Sequence, residues 1–180
     1  MPLVKNGSAI DDPYMRLLDG EPLAEGKAVL VPAERLITDA AEFAGRAEKN
    51  GVLWPNHRPV SELSPYLDSV SLVALHFPTF RDGRAYSQAR LLRERYNFRG
   101  EIRATGDVLR DQYHFMRRAG FDAFEVRKPA DVPFFSKSTT NFTSVYQPAA
   151  DRHVTASQLR HDANATKHRT CDNAVLEQDV

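Results

Sequence analysis

Apolar and polar positions alternate between strand and helix periodicities for about a hundred residues of this chain. Lys27-Ala28-Val29-Leu30-Val31, bounded by Gly26 and Pro32, is a short apolar run that predicts a buried strand. Thr38 is placed to cap a helix with Ala40, Phe43, Ala44 and Ala47 on one face, and Asn50-Gly51 is placed to end it. Val52-Leu53-Trp54 then predicts a second strand, and Val60–Leu67 a brief helix-like segment. Val70–Phe77 is the strongest strand pattern, its continuous apolar character suiting a parallel sheet covered on both faces. Ala85, Ala89, Leu92 and Tyr96 mark a helix opened by Gly83-Arg84, and Glu101–Ala104 a further strand. Asp107 is expected to cap the next helix, which buries Val108, Gln112 or Phe115, Met116 and Ala119 and stops at Gly120. Phe121–Val126 is the last strand of the series.

Strands separated by single helices pair in parallel through right-handed crossovers. The expected class is therefore α/β, a mostly parallel sheet of βαβ units forming an open sheet or an incomplete barrel. A single domain over residues 1–150 is expected, with an irregular N-terminal cap at 1–24, in which residues 3–20 form a short hairpin or irregular cap around Tyr14–Leu18, and a core at 25–150. Phe134, Phe135, Phe142, Val145 and Tyr146 suggest a helix within 133–147, and the polar stretch 151–180 reads as a disordered tail.

Composition narrows the function. The 180 residues carry 24 Lys+Arg and 24 Asp+Glu, so no bulk charge draws the chain to nucleic acid or an anionic membrane. No apolar run reaches membrane-spanning length and the N-terminus lacks a signal-peptide core, so a cytoplasmic domain is expected. Cys171 is the only cysteine, which leaves no intrachain disulfide, no Cys-x-x-Cys pair and no intrinsic iron–sulfur cluster. Dinucleotide, phosphate-loop and nucleophile-elbow fingerprints are absent, and no cofactor can be named.

The neutral total hides an uneven distribution. Residues 81–118 hold ten Arg, five Asp or Glu and no Lys. Guanidinium forks suit carboxylates and oxyanions, although surface pairing with neighbouring acids explains most such residues. Ligands of parallel α/β sheets bind beyond the carboxyl ends of the strands. Two loops there, Pro78–Arg84 and Thr105–Asp107, supply the candidate anion- or partner-binding residues Arg81, Asp82, Arg84, Arg103, Thr105 and Asp107. If their strands are neighbours, Arg81, Arg84 and Arg103 could converge on one anion; the competing reading is a clamp of Arg103–Asp82 or Arg84–Asp107 type. His76 reads as a hydrogen-bonded core histidine on a helix-covered face, His114 as a surface residue and His57 as a strand-end loop residue. No histidine cluster has metal-ligand spacing.

Three blocks carry a family resemblance: Phe77 through Arg93, Gly100 through Gln112, and Arg118 through Phe124, with Tyr146-Gln147-Pro148-Ala149 in addition. Together they resemble, over roughly residues 25–150, a bacterial domain family of unknown function. Its genes lie beside those of assimilatory sulfite and nitrite reductases, and its members are often labelled oxidoreductases of sulfite reduction. The resemblance implies a role in sulfur assimilation but no catalytic residues. With no thiolate set and no nucleotide fingerprint, the expectation is an accessory protein. It would meet a sirohaem- and iron–sulfur-containing sulfite or nitrite reductase through the Arg-rich edge. The alternative is a small oxidoreductase, or another anion-binding enzyme of the same pathway, with a non-covalent cofactor.

Overall fold

A computed structural model describes residues 1–138, 145–151 and 153–161. Eight strands form one curled, open, mostly parallel sheet, a half-barrel. In chain order these are β1 (Leu3–Lys5), β2 (Ser8–Ile10), β3 (Tyr14–Arg16), β4 (Ala28–Pro32), β5 (Asn50–Trp54), β6 (Leu72–Phe77), β7 (Glu101–Gly106) and β8 (Ala123–Glu125). Their order across the sheet is β2-β1-β8-β7-β6-β5-β4-β3. From β3 to β8 every pairing is parallel, whereas β1 joins β8 and β2 antiparallel. The helices that pack with this sheet include α1 (Ala33–Thr38), α2 (Ala40–Ala44), α3 (Arg84–Glu94), α4 (Tyr113–Ala119) and α5 (Val132–Ser138).

Alternation along the strands gives the sheet two different faces. Val29, Val31, Val52, Trp54, Val73, Leu75, Phe77, Ile102, Ala104 and Phe124 join Ala85, Ala89 and Leu92 of α3 in the main core. On the inner side of the curl only Leu30, Leu72 and Ala74 form a small apolar cluster, with Tyr14 and Leu53 against it. Arg103, Thr105, His76 and Glu125 share that face with the apolar Leu3 and Ala123.

Several sequence expectations need correction. Of the two readings of residues 3–20 the hairpin holds, at β1–β2, and with β3 it extends the sheet at both ends in place of an irregular cap. Asn50-Gly51 does not end a helix but starts β5: the Asn50 amide donates to Phe43 O and Ser69 O, and a Cβ on Gly51 would press on Leu72 and Leu30. Thr38 ends α1 instead of capping a later helix, its hydroxyl donating to Glu34 O. Val60–Glu62 and Ser64–Ser69 are 3-10 turns. In the next helical stretch a 3-10 turn, Arg110–Gln112, precedes α4, which rotates the buried face. Tyr113 is therefore buried and Phe115 is 67% exposed. Gly120 does end α4, left-handed at φ 109°. Of the stretch read as a tail, the described part pairs Thr155 with Val145 and continues into a short helix over 156–161. His168 and Phe142 lie outside the described residues.

Candidate functional site

The C-terminal ends of β6 and β7 lie side by side, in register from Leu72↔Glu101 to Phe77↔Gly106. The loops that follow them are tied together. Asp107 accepts from Phe80 N at 3.0 Å and from Arg127 Nη1 at 3.0 Å, so its carboxylate joins two loops and caps no helix. Gln112 Nε2 reaches Phe80 O at 3.4 Å. In the loop after β5, Gln88 Nε2 of α3 donates to Pro55 O and Arg58 O. The strand-end rim is thus a braced surface.

On that rim Asp82 and Arg84 are partners of one another: Arg84 Nε and Nη2 meet the carboxylate at 2.9 and 2.6 Å. The Arg84 hydrogen bond holds the Asp82 carboxyl well below its usual range and raises the guanidinium pKa in return. Arg81 is exposed, lies 5.5 Å over the ring of Phe80, itself 39% exposed, and has no acidic partner among the described residues.

Arg103 sits elsewhere. It is fully buried on the inner face, with Nη1 2.7 Å from Asp12, Nη2 3.0 Å from Glu101, and Glu125 3.6 Å away. The Tyr14 ring lies 5.5 Å from its guanidinium carbon. Burial alone would lower the Arg103 pKa, but the hydrogen bond and charge of Asp12, aided by Glu101, raise it instead. The three guanidiniums therefore have separate surroundings: Arg81 on the rim, Arg84 closed on Asp82, and Arg103 inside the curl. Neither anticipated clamp forms; the pairs are Arg84–Asp82 and Arg103 with Asp12, Glu101 and Glu125. Of the ten Arg in 81–118, Arg84, Arg90, Arg93, Arg103, Arg110 and Arg118 pair with acids.

His76 is not on the helix-covered face. Leu75 and Phe77 are, so His76 projects to the inner side, at the mouth of the curl. It is partly exposed, and its Nδ1 lies 3.3 Å from the hydroxyl of Thr105, which is 2% exposed. Gly106 has φ 90°, and a Cβ there would stand 2.9 Å from the His76 ring. The expected hydrogen bond is present, but the face differs, because an apolar run gives no sign of which side its single polar member takes; counting by twos from Phe77 places it. His57 is exposed, as its loop position suggested. His114 is partly buried, and desolvation lowers its pKa.

A curled, mostly parallel half-barrel with a buried charge cluster on its inner face and a braced strand-end rim defines the class of molecule. The chain belongs to the bacterial protein family of unknown function DUF934, which it matches over residues 51–157. That span holds β5 from its second residue, β6 to β8, the rim, His76 and Arg103. No curated protein matches the chain. Among the described residues no helix is long and apolar enough to cross a membrane, and no group of three His, Cys, Asp or Glu is placed to hold a metal ion.

Proposed function

We propose that this protein is an accessory factor of assimilatory sulfite reduction, docking on a sirohaem- and iron–sulfur-containing reductase through its strand-end rim. The observation that carries this reading is the exposed Phe80–Arg81 pair, an arginine stacked on an aromatic ring with no acidic partner among the described residues. Aromatic and arginine side chains dominate the energetics of protein interfaces. The loop bearing them is held by Asp107 and Gln112, so little ordering cost attends binding. The partner surface would be acidic, and the family resemblance of Phe77 through Arg93 points to the reductase. Asp82, Arg84 and Asp107 shape the rim, while Thr105 and Arg103 lie apart from it on the inner face. Electron transfer is the partner's task, since the chain has only Cys171 and no nucleotide fingerprint.

Co-purification of the tagged full chain from its native bacterium tests the docking. The reductase, recognised by its sirohaem absorption, is expected in the eluate at mild salt. Arg81→Glu should weaken its retention about tenfold, equivalent to roughly 1.4 kcal/mol. Absence of the reductase at mild salt, or normal growth of a deletion strain on sulfate as sole sulfur source, would overturn the reading.

A further inference from the structure

We infer that the groove between α3 and α4, on the helix-covered side of the sheet, docks an acidic segment of a partner protein. It is a different surface from the Phe80–Arg81 pair and does not rest on the reductase reading. Tyr86, Ser87 and Arg90 of α3 and Phe115 and Arg118 of α4 line it, residues 147–150 complete the lining, and its volume is about 340 Å³. The walls are already fixed. The Tyr86 ring packs edge-on against Phe77 and Phe121, and its hydroxyl donates to Gln112 Oε1 at 3.3 Å. Ala150 N donates to Arg118 O at 3.1 Å, and Arg118 Nη2 donates back to Gln147 O. Binding therefore orders little that is not ordered beforehand. Phe115 is the feature without a role in the fold: the turn ahead of α4 sends Tyr113 into the core and leaves this ring in water. An exposed aromatic ring beside arginines is the composition of an interface.

Hydrogen-bonding capacity selects the occupant. The lining holds two arginines and no carboxylate. Arg90 uses its Nε on Glu94 at 2.8 Å, and Arg118 uses Nε on Asp151 and Nη2 on Gln147 O. Both Nη groups of Arg90 and Nη1 of Arg118 have no hydrogen-bond partner among the described residues. The Arg90–Glu94 pair joins side chains 65% and 45% exposed, one helical turn apart, and such pairs are weak enough to exchange for a carboxylate held in the groove. Arg118 is anchored on two sides and presents a fixed fork. A segment with acids flanking one leucine- or phenylalanine-like side chain meets both demands: the acids pair with Arg90 and Arg118, and the apolar group covers Phe115, Ala119 and Pro148. A second copy of this chain does not. Across a two-fold axis the same two arginines would face themselves, with no acid in the lining to separate them.

The test is fluorescence anisotropy of a fluorescein-labelled peptide, Gly-Glu-Glu-Leu-Phe-Glu-Glu-Gly, titrated with the full-length protein, with amide NMR to locate the contact. The expected result is saturable binding with a Kd of about 100 μM or tighter, weakening as salt is raised. Amide shifts should centre on α3, α4 and residues 147–150. Replacing the Leu-Phe pair by Gly-Ser, or the four Glu by Lys, should each weaken binding about tenfold. Phe115→Ser and Arg90→Glu change exposed side chains that the core does not use, and each should have an effect of similar size. Ser87 is also exposed, and Ser87→Trp should block the peptide by filling the groove. No saturation up to about 1 mM, equal affinity for the Lys peptide, unchanged affinity in Phe115→Ser and Arg90→Glu, or amide shifts confined to Phe80 and Arg81 would overturn the inference. Failure here leaves co-purification with the reductase untouched, and absence of the reductase leaves the peptide result standing.

Discussion

Gly106 is the residue whose chemistry bears most directly on the mouth of the sheet. Its φ of 90° lies in the left-handed region that a side chain disfavours, and a Cβ there would collide with the Phe77 carbonyl oxygen and stand 2.9 Å from the His76 ring. Gly106→Ala should therefore cost about 2 kcal/mol of stability and dislodge the ring from Thr105. Urea unfolding reads the first effect and the His76 ring shifts the second; a variant that keeps wild-type values for both would refute it. None of this was legible from composition. Thr105-Gly106 reads in sequence as a turn, which it is, but the identity of the group packed against it depends on register with β6. Tyr86 illustrates the same limit: its burial, together with the Asp111 charge, pushes the phenol up to about 12, and neither neighbour is evident from spacing alone.

At the scale of elements, the apolar patterns identified β4 to β8 and α3 because each buries a continuous stripe against one core. The failures occurred where polar side chains decide. Asn50 starts a strand through its two amide hydrogen bonds, and the turn at Arg110–Gln112 rotates α4 so that Tyr113 replaces Phe115 inside. Arg93 is the clearest case of a surface-looking residue that joins elements. From α3 it donates to Phe98 O and Gly100 O before β7 and to Gly120 O after α4, and it pairs with Asp122 before β8. A lysine has neither the fork nor the number of donors to reproduce this. Arg93→Lys should destabilise the fold by about 2 kcal/mol, with Asp122→Asn non-additive to it in a double-mutant cycle. Full additivity within about 0.3 kcal/mol would show that the bridge has no energetic weight.

For the whole molecule, the question is what keeps a sheet of eight strands curled. β3 and β8 are five places apart along the ladder, yet Arg16 of one pairs with Glu125 of the other. Between them Arg103 contacts Asp12 ahead of β3, the ring of Tyr14 on β3, and Glu125 on β8, while Tyr14 also bonds Ser71 ahead of β6. The curl is thus closed across its inner face by the buried Arg103 together with the Arg16–Glu125 pair. An α/β class was readable from the alternation of patterns, but this closure was not, because its parts lie 91 residues apart in the chain. Replacing a partner in a buried charge cluster leaves the remaining ions uncompensated, which costs ~3–5 kcal/mol. Arg103→Met should incur that loss unevenly. Hydrogen exchange should show β1, β2 and β3 losing protection first, because the N-terminal strands are short and depend on the inner cluster. The β5–β6–β7 ladder, packed on α3, should exchange at nearly the wild-type rate until global unfolding. Uniform loss of protection over all eight strands would mean that Arg103 stabilises the domain as a whole and does not act as the lock of its curl.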